Sequence, residues 1–236
     1  MNSQNKFIRS FMYAAPKTVP VLIGFIVLGI AYGILMSAHG IAVKWSVAMS
    51  LIAYCGSMQY VAIGLFLAAF DPLYAFFMSV MVNARHLFYG ISMLEKYRGM
   101  GWLKPLLIYV MTDETFSIQC GQKVPDDIDR KVFYATVAFL NYFYWFVGTL
   151  IGAVAGQLIT FNTTGMDFVL TAMFVVTFTE QWITQYNHKP AVIGVLCSVA
   201  SLIIFGSGSF MIVGAMALIL LVMTIFRKSV DEEAEL

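Results

Sequence analysis

Eight apolar segments follow one another along this chain of 236 residues, and short polar stretches separate them. A helix of about 20 apolar residues is long enough to cross the hydrocarbon core of a bilayer. The pattern therefore predicts an all-α, polytopic integral membrane protein with seven or eight transmembrane helices. The count depends on GSGS at 206–209, which favours a turn and thus eight helices. The segments cover residues 18–37, 45–70, 72–94, 104–121, 132–159, 167–186, 190–206 and 209–226.

Composition supports a lipid environment. Hydrophobic residues make up 60% of the chain and charged residues only 11%, whereas a soluble domain carries about 25% charged residues. The net charge of +1 gives no reason to expect a nucleic-acid partner. Cys55, Cys120 and Cys197 lie far apart, without the spacing of metal ligands, and their odd number argues against a disulfide framework. We expect neither a metal site nor a cofactor.

The charged residues divide the chain into a basic cytoplasmic lead (1–17), a transmembrane domain (18–226) and an acidic tail (227–236). Lys and Arg collect in cytoplasmic loops, and their distribution here predicts a cytoplasmic N-terminus. The basic loop 95–104 then lies outside and is an exception to this rule. Segment 104–121 has basic clusters at both ends, so it is either tilted or only partly spanning. With eight crossings the inner side holds Lys6, Arg9, Lys17, Lys123, Arg130, Lys131, Lys189, Arg227 and Lys228; the outer side holds Lys44, Lys96, Arg98 and Lys104.

Helix breakers lie inside several segments. CGSMQ (55–59) interrupts the second segment beside a Gln, a pattern by which transporters expose backbone to a cavity at the membrane midplane. Gly148, Gly152 and Gly156 form a small-xxx-small series that favours close helix packing. Residues 48–59 and 172–181 both place a polar break and a Gln after an Ala-Met run, which suggests an internal repeat.

Polar residues fall near the centres of the predicted helices. A charged residue there costs about 2.5–3.5 kcal/mol on insertion scales, so such residues are rare, paired and usually functional. Five of them are ionisable, and we expect all of them at a similar depth. The candidate substrate-binding or coupling residues are Gln59, Asn83, Arg85, His86, Tyr89, Asp113, Glu114, Asn141 and Glu180.

Arg85 has to face the protein interior, where Asp113 or Glu114 can reach it. On a helix Arg85 and Tyr89 share a face, with Asn83 and His86 to one side. Each candidate also has a purely structural interpretation. Arg85 then forms a structural ion pair, His86 is a hydrogen-bonded core residue and Glu180 is solvated near the interface. Gln59 and Asn141 join helices through hydrogen bonds.

Three sequence blocks carry a resemblance to a known family. YCGSMQYVAIGLF (54–66), NARHLFYGIS (83–92) and TDETFS (112–117) resemble, in this order and spacing, the AzlC family. Its members are the large subunits of bacterial branched-chain amino acid exporters, including the valine and methionine exporter type. The resemblance covers residues 10–226. It implies a place in the cytoplasmic membrane, a small AzlD-type membrane subunit as partner and export driven by the proton gradient.

The expected function is therefore secondary export of valine, leucine, isoleucine and methionine. Arg85 would take the substrate carboxylate, while Asp113, Glu114 or Glu180 would hold the ammonium or carry a proton. Asp113 and Glu114 are adjacent and point about 100° apart on a helix. We favour Asp113 as the partner of Arg85 and Glu114 as proton carrier. Two alternatives are a passive channel and an intramembrane enzyme, although the chain has neither H-E-x-x-H nor G-x-S-x-G.

Overall fold

All regular secondary structure in the described part of the chain is helical. The structure, a computed structural model, describes residues 3–69, 71–158, 168–184, 188–206 and 209–225. A 3-10 turn, Ala15–Thr18, joins the first two helices. The predicted all-α class is confirmed within these ranges. The α-helices are α1 (Ser3–Ala14), α2 (Val19–Ala38), α3 (Val43–Ile52), α4 (Gly56–Leu67), α5 (Pro72–Met93), α6 (Leu103–Tyr109), α7 (Asp113–Gly121), α8 (Arg130–Leu158), α9 (Phe168–Thr184), α10 (Lys189–Phe205) and α11 (Ser209–Ile225).

Two helices in the described ranges are long and apolar enough to cross a membrane. One is Asn5–Ala38, 34 residues that combine most of α1 with α2, and the other is α8 with 29 residues. The predicted N-terminal lead is thus helical where it is described, and it continues into the first apolar segment. The acidic tail 227–236 lies outside the described residues. The chain divides into two compact units, Met1–Leu170 and Thr171–Leu236.

Parallel helices α2 and α8 form the centre of the first unit. Their direction follows from two contacts, one between the rings of Phe25 and Trp145 with centroids 5.6 Å apart and one from Ser37 Oγ to the carbonyl oxygen of Ala153 at 2.8 Å. A Cβ atom on Gly148 would lie only 2.8 Å from the carbonyl oxygen of Ile26. The two backbones are therefore in direct contact, and the predicted packing role of the glycine series is confirmed.

The loop after α5 lies at the same end of the first unit as α1 and the start of α8. Arg130 Nη2 donates to the carbonyl oxygen of Lys96 at 3.0 Å, and Lys96 Nζ donates to the carbonyl oxygen of Cys120 at the end of α7. At the same end Arg9 pairs with Asp127 at 2.6 Å. The prediction that loop 95–104 and residues 122–131 lie on opposite sides is therefore wrong.

Two of the predicted apolar segments each form two short helices. Segment 45–70 forms α3 and α4, and segment 104–121 forms α6 and α7. The break at CGSMQ is confirmed, with α4 beginning at Gly56. The break at 110–112 was not predicted, so Asp113 and Glu114 begin a helix where the sequence pattern placed them in the middle of one.

The second unit contains an antiparallel pair, α10 and α11. Gly206 ends α10 with a φ of 68°, a conformation that favours glycine, and α11 begins at Ser209. Ser201 Oγ donates to the carbonyl oxygen of Met211 at 2.6 Å, which holds the two helices together. Helices α10 and α11 are separate, as predicted, and residues 207 and 208 of GSGS lie outside the described part of the chain. The proposed repeat is not supported, because α9 runs through 172–181 as one uninterrupted helix.

Candidate functional site

The break between α3 and α4 places a strained residue at the tip of a half-helix. Tyr54 has a φ of 38°, the only positive value among non-glycine residues of the described ranges. A bulky residue rarely adopts this conformation, and such strain concentrates at functional sites. Cys55 is the N-cap of α4. A Cβ atom at position 56 would lie 3.0 Å from the ring of Trp145, so any larger residue there would require the ring to shift.

The break between α6 and α7 creates the N-terminus of a second half-helix. Thr112 is the N-cap of α7, and its Oγ1 accepts a hydrogen bond from the Thr115 N–H at 3.3 Å. Asp113 and Glu114 occupy the first turn, where negative charge is stabilised by the helix dipole. A Thr followed by two acidic residues is a start signal for a helix, so the sequence contained the information for this break.

Arg85, in the second half of α5, joins the two half-helices. Its Nη1 pairs with Asp113 Oδ2 at 2.9 Å, and its Nη2 donates to Ser57 Oγ at 3.1 Å. Asp113 is thus the partner that the sequence analysis favoured. The side chains of Arg85 and Asp113 are 34% and 29% exposed, so the pair is accessible to a small molecule. Ser57, in the first turn of α4, was not predicted as a site residue.

The neighbours of Arg85 on α5 contact the same two half-helices. Asn83 Oδ1 accepts a hydrogen bond from Cys55 Sγ at 2.6 Å, which ties α5 to the α4 tip. On the other side Tyr89 stacks on Phe116 of α7 with ring centroids 4.5 Å apart. His86 lies edge-on to Tyr89 at 5.9 Å. These contacts bring Asn83, Arg85, His86 and Tyr89 together beside the two breaks, and their role in binding stays a prediction.

Asp113, and not the adjacent Glu114, is the carboxyl group that forms the ion pair with Arg85 in the described part of the structure. Both residues lie in the first turn of α7, where neighbouring positions are offset by about 100° around the helix, so one of them faces the guanidinium. At the tip of the opposite break, the Tyr54 ring packs on Tyr142 of α8, with centroids 4.6 Å apart.

Gln59 serves as an interhelical hydrogen-bonding residue. It is fully buried; its Oε1 accepts from Trp145 Nε1 at 2.7 Å and its Nε2 donates to Ser50 Oγ at 2.9 Å. Ser50 Oγ continues the chain to Thr149 Oγ1 at 2.8 Å. Both polar groups of the Gln59 side chain are satisfied within the protein. The structure therefore favours the structural interpretation that the sequence left open.

Asn141 also joins two helices through a hydrogen bond, although its buried Oδ1 has no partner among the described residues. Its Nδ2 donates to Thr115 Oγ1 at 2.9 Å, and Thr112 Oγ1 lies 3.1 Å from that same oxygen. Asn141 is fully buried and links α8 to the first turn of α7 without reaching Arg85. The last candidate, Glu180, belongs to α9 in its backbone, and its side chain lies outside the described part of the structure.

These contacts predict different outcomes for two residues that are two positions apart in α4. Gln59→Leu would leave the buried Trp145 Nε1 without an acceptor, a loss of about 1–3 kcal/mol in the free energy of unfolding. Ligand binding at Arg85 should not change. Ser57→Ala removes a hydroxyl that contacts Arg85, so it should weaken ligand binding there with a smaller effect on stability. Thermal unfolding and ligand-binding measurements on both variants test this, and weakened binding in Gln59→Leu alone would contradict it.

Comparison with known proteins is consistent with the three sequence blocks. The family model described as AzlC protein matches residues 20–159. The chain is 47% identical over 232 residues to the branched-chain amino acid transport protein AzlC of Bacillus subtilis, covering 98% of this chain and 91% of that protein. An uncharacterized membrane protein of Helicobacter pylori strain 26695 is 35% identical over 96% of this chain and 99% of its own.

A more distant relative is the inner membrane protein YgaZ of Escherichia coli, 26% identical over 82% of this chain and 79% of that protein. No solved structure matches the chain. The family match covers more than half of the chain and includes α2 to α8, where the Arg85 site is located. The resemblance inferred from the sequence is confirmed, and the chain belongs to the AzlC family.

Proposed function

We propose that this chain is a secondary transporter that exports branched-chain and related apolar amino acids, namely valine, leucine, isoleucine and methionine. The name of the Bacillus subtilis relative supports amino-acid transport. The observation that carries the proposal is the Arg85–Asp113 pair at 2.9 Å, held between the N-termini of two half-helices. Discontinuous helices with charged residues at their breaks form the substrate sites of many secondary transporters.

The substrate carboxylate binds to Arg85 in this proposal. The guanidinium contacts Ser57 in the first turn of α4, where the helix dipole and free backbone N–H groups add positive potential. In the substrate-free protein Asp113 balances this charge. An incoming carboxylate competes with Asp113 for Arg85, ideally through two parallel hydrogen bonds. Asp113 is then free to accept the substrate ammonium group or a proton.

The substrate side chain packs against the apolar and aromatic surface beside the charged pair. Tyr89 and Phe116 form a stacked pair next to Arg85 and Asp113. A hydrophobic pocket distinguishes substrates that differ by one methylene by only about 1–3 kcal/mol. We therefore expect several related amino acids to be transported with similar efficiency.

Proton coupling runs through a carboxyl group other than the one bound to Arg85. We assign this role to Glu114 first and Glu180 second, because Asp113 is the partner of Arg85. If this is correct, Glu114→Gln keeps substrate exchange and loses the pH dependence of uphill efflux. Asp113→Asn should impair both exchange and efflux.

Separate exchange and efflux assays in proteoliposomes, at several external pH values, test this assignment. Glu180→Gln is the matched comparison. An unchanged pH profile in all three amide variants would exclude these carboxyl groups and make His86 the leading candidate, since histidine is the residue type whose ordinary pKa lies nearest to neutral pH.

The partner is a small AzlD-type membrane subunit, and the site of action is the bacterial cytoplasmic membrane with a cytoplasmic N-terminus. The name of the Escherichia coli relative, inner membrane protein YgaZ, supports this location. The family resemblance supports the partner. We expect this chain alone to be insufficient for full export.

Dipeptide feeding tests the whole proposal. Cells that hydrolyse a valine- or methionine-containing dipeptide accumulate the free amino acid unless an exporter removes it. Expression of this chain with its small subunit should lower the accumulated level several-fold, while either protein alone should not. Unchanged accumulation of all four amino acids would overturn the assignment of substrates. Full-rate efflux by the purified chain alone would overturn the need for a partner. Passive, non-saturable flux would favour a channel.

A further inference from the structure

Helices α3 and α4 run in opposite directions after their break. Gln59 and Ser50 are nine residues apart, which is about 13.5 Å along one straight helix, yet they share a hydrogen bond of 2.9 Å. Both also contact the same stretch of α8, Ser50 through Thr149 and Gln59 through Trp145. The chain therefore turns back at residues 53–55 and returns in the direction from which it came.

Helices α6 and α7 turn back in the same way. At the tip, Tyr109 donates its hydroxyl hydrogen to the carbonyl oxygen of Ile52, at the end of α3. At the other end of α7, Gln119 bonds to both Tyr97 and Tyr134. The entry to α6 and the exit from α7 thus lie together, next to the start of α8.

The two pairs approach from opposite ends of the first unit. Arg85 of α5 pairs with Asp113 at the start of α7, and Lys96, just past the end of α5, donates to the carbonyl oxygen of Cys120 near the end of α7. Helices α5 and α7 therefore run in the same direction. Helix α7 runs against α8, because Thr115 meets Asn141 and Gln119 meets Tyr134. Helix α5 is therefore antiparallel to α2 and α8, and it begins at the end where α2 stops and α3 starts.

We infer that α3–α4 and α6–α7 are re-entrant helix pairs, which enter the membrane from opposite faces and return to the face they entered. Helices α3 and α4 have 10 and 12 residues, and α6 and α7 have 7 and 9. At 1.5 Å per residue none exceeds about 18 Å, well short of the ~30 Å hydrocarbon core. Irregular backbone at membrane depth is tolerated where it is buried in protein. Here the two breaks contact each other, α5 and α8.

In this topology the first unit contains two similar halves of opposite orientation. Helix α2 precedes the pair α3–α4, and helix α5, which with 22 residues is about 33 Å long, precedes the pair α6–α7. Inverted repeats of this kind place the binding site where the two halves meet, and Arg85 bonds to the tips of both pairs. Lys96, Arg98 and Lys104 then join the basic N-terminal side, which removes the exception to the distribution of Lys and Arg in the loops.

Single cysteines introduced at four exposed loop positions test the topology. The background lacks the three native cysteines, with serine at position 55. Arg98→Cys and Asp126→Cys flank α6–α7, whereas Ala42→Cys and Ala69→Cys flank α3–α4; all four side chains are exposed. Each variant is required to react with a maleimide in detergent. Intact cells are then treated with a membrane-impermeant maleimide before and after permeabilisation.

We expect Ala42→Cys and Ala69→Cys to react in intact cells, and Arg98→Cys and Asp126→Cys to react only after permeabilisation. If Arg98→Cys and Asp126→Cys report opposite faces, α6–α7 crosses the membrane and the proposal fails for that pair. Opposite faces for Ala42→Cys and Ala69→Cys would overturn it for α3–α4. The experiment uses labelling alone, so it stands whether or not the chain exports the proposed amino acids.

Discussion

Replacing Arg85 with Gln is expected to abolish amino-acid efflux while leaving the folded protein largely intact. Gln keeps a donor for Ser57 but removes the charge that binds Asp113 and, in our proposal, the substrate carboxylate. Loss of one partner of a hydrogen-bonded charge pair costs 2–5 kcal/mol in binding, so efflux should fall on the order of 100-fold or more. When Arg85 is absent, Asp113 can take up a proton, which limits the loss in the free energy of unfolding.

Efflux from proteoliposomes and thermal unfolding in detergent measure the two effects separately. Arg98→Gln is the matched control, because Arg98 is an exposed arginine in the loop that follows α5. Arg85→Lys should be intermediate, since lysine keeps the charge without the planar fork of donors. Normal efflux in Arg85→Gln would reduce Arg85 to a structural residue, and collapse of expression would favour the structural ion pair.

Substituting alanine for Gly152 is expected to destabilise the first unit more than any other single-methyl addition on α8. A Cβ atom there would overlap backbone atoms of Ile30 on α2, and backbone cannot move aside as a side chain can. Overpacking of a tight core costs about 1–3 kcal/mol, and more where relief is blocked. At 3 kcal/mol the melting temperature would fall by roughly 6–12 °C for a chain of this size.

Gly24→Ala provides the control on the other helix of the pair. Nothing lies within 4 Å of a Cβ atom added at Gly24, so this variant should unfold at or slightly above the wild-type temperature, as alanine favours the helix over glycine. Equal melting temperatures for the two variants would mean that α2 and α8 do not pack backbone to backbone. Efflux is not needed for this measurement.

The sequence predicted the helical class and the pairing of Arg85 with Asp113, for identifiable reasons. Arg85 in an apolar helix demands a nearby carboxylate, and Asp113 proves to be that partner. CGSMQ combines glycine with polar residues, so its break was also predictable. These conclusions depend on the cost of polar groups in lipid and on local backbone preference, both of which a single sequence displays.

The direction of the chain after each break could not be predicted in the same way. A re-entrant pair and a spanning helix have similar apolar composition. Hydropathy reports burial and carries no information about the direction in which the chain runs. The bond between Gln59 and Ser50, which shows the return of α4, joins residues on two different helices. The break before Asp113 was missed because the apolar run before it resembles an ordinary spanning segment, although Thr112 marked a helix start.

The contact between α2 and α8 has a mechanical consequence for any transport cycle. Backbones that touch without intervening side chains resist sliding, so these two helices should move as one rigid frame. The tips of α3–α4 and α6–α7 bind to α5 through a few polar contacts, so they resist movement less than this frame does. Those contacts are Arg85 with Asp113, Arg85 with Ser57 and Asn83 with Cys55. A carboxylate that draws Arg85 away from Asp113 would therefore loosen the α7 tip first, and the frame would stay still.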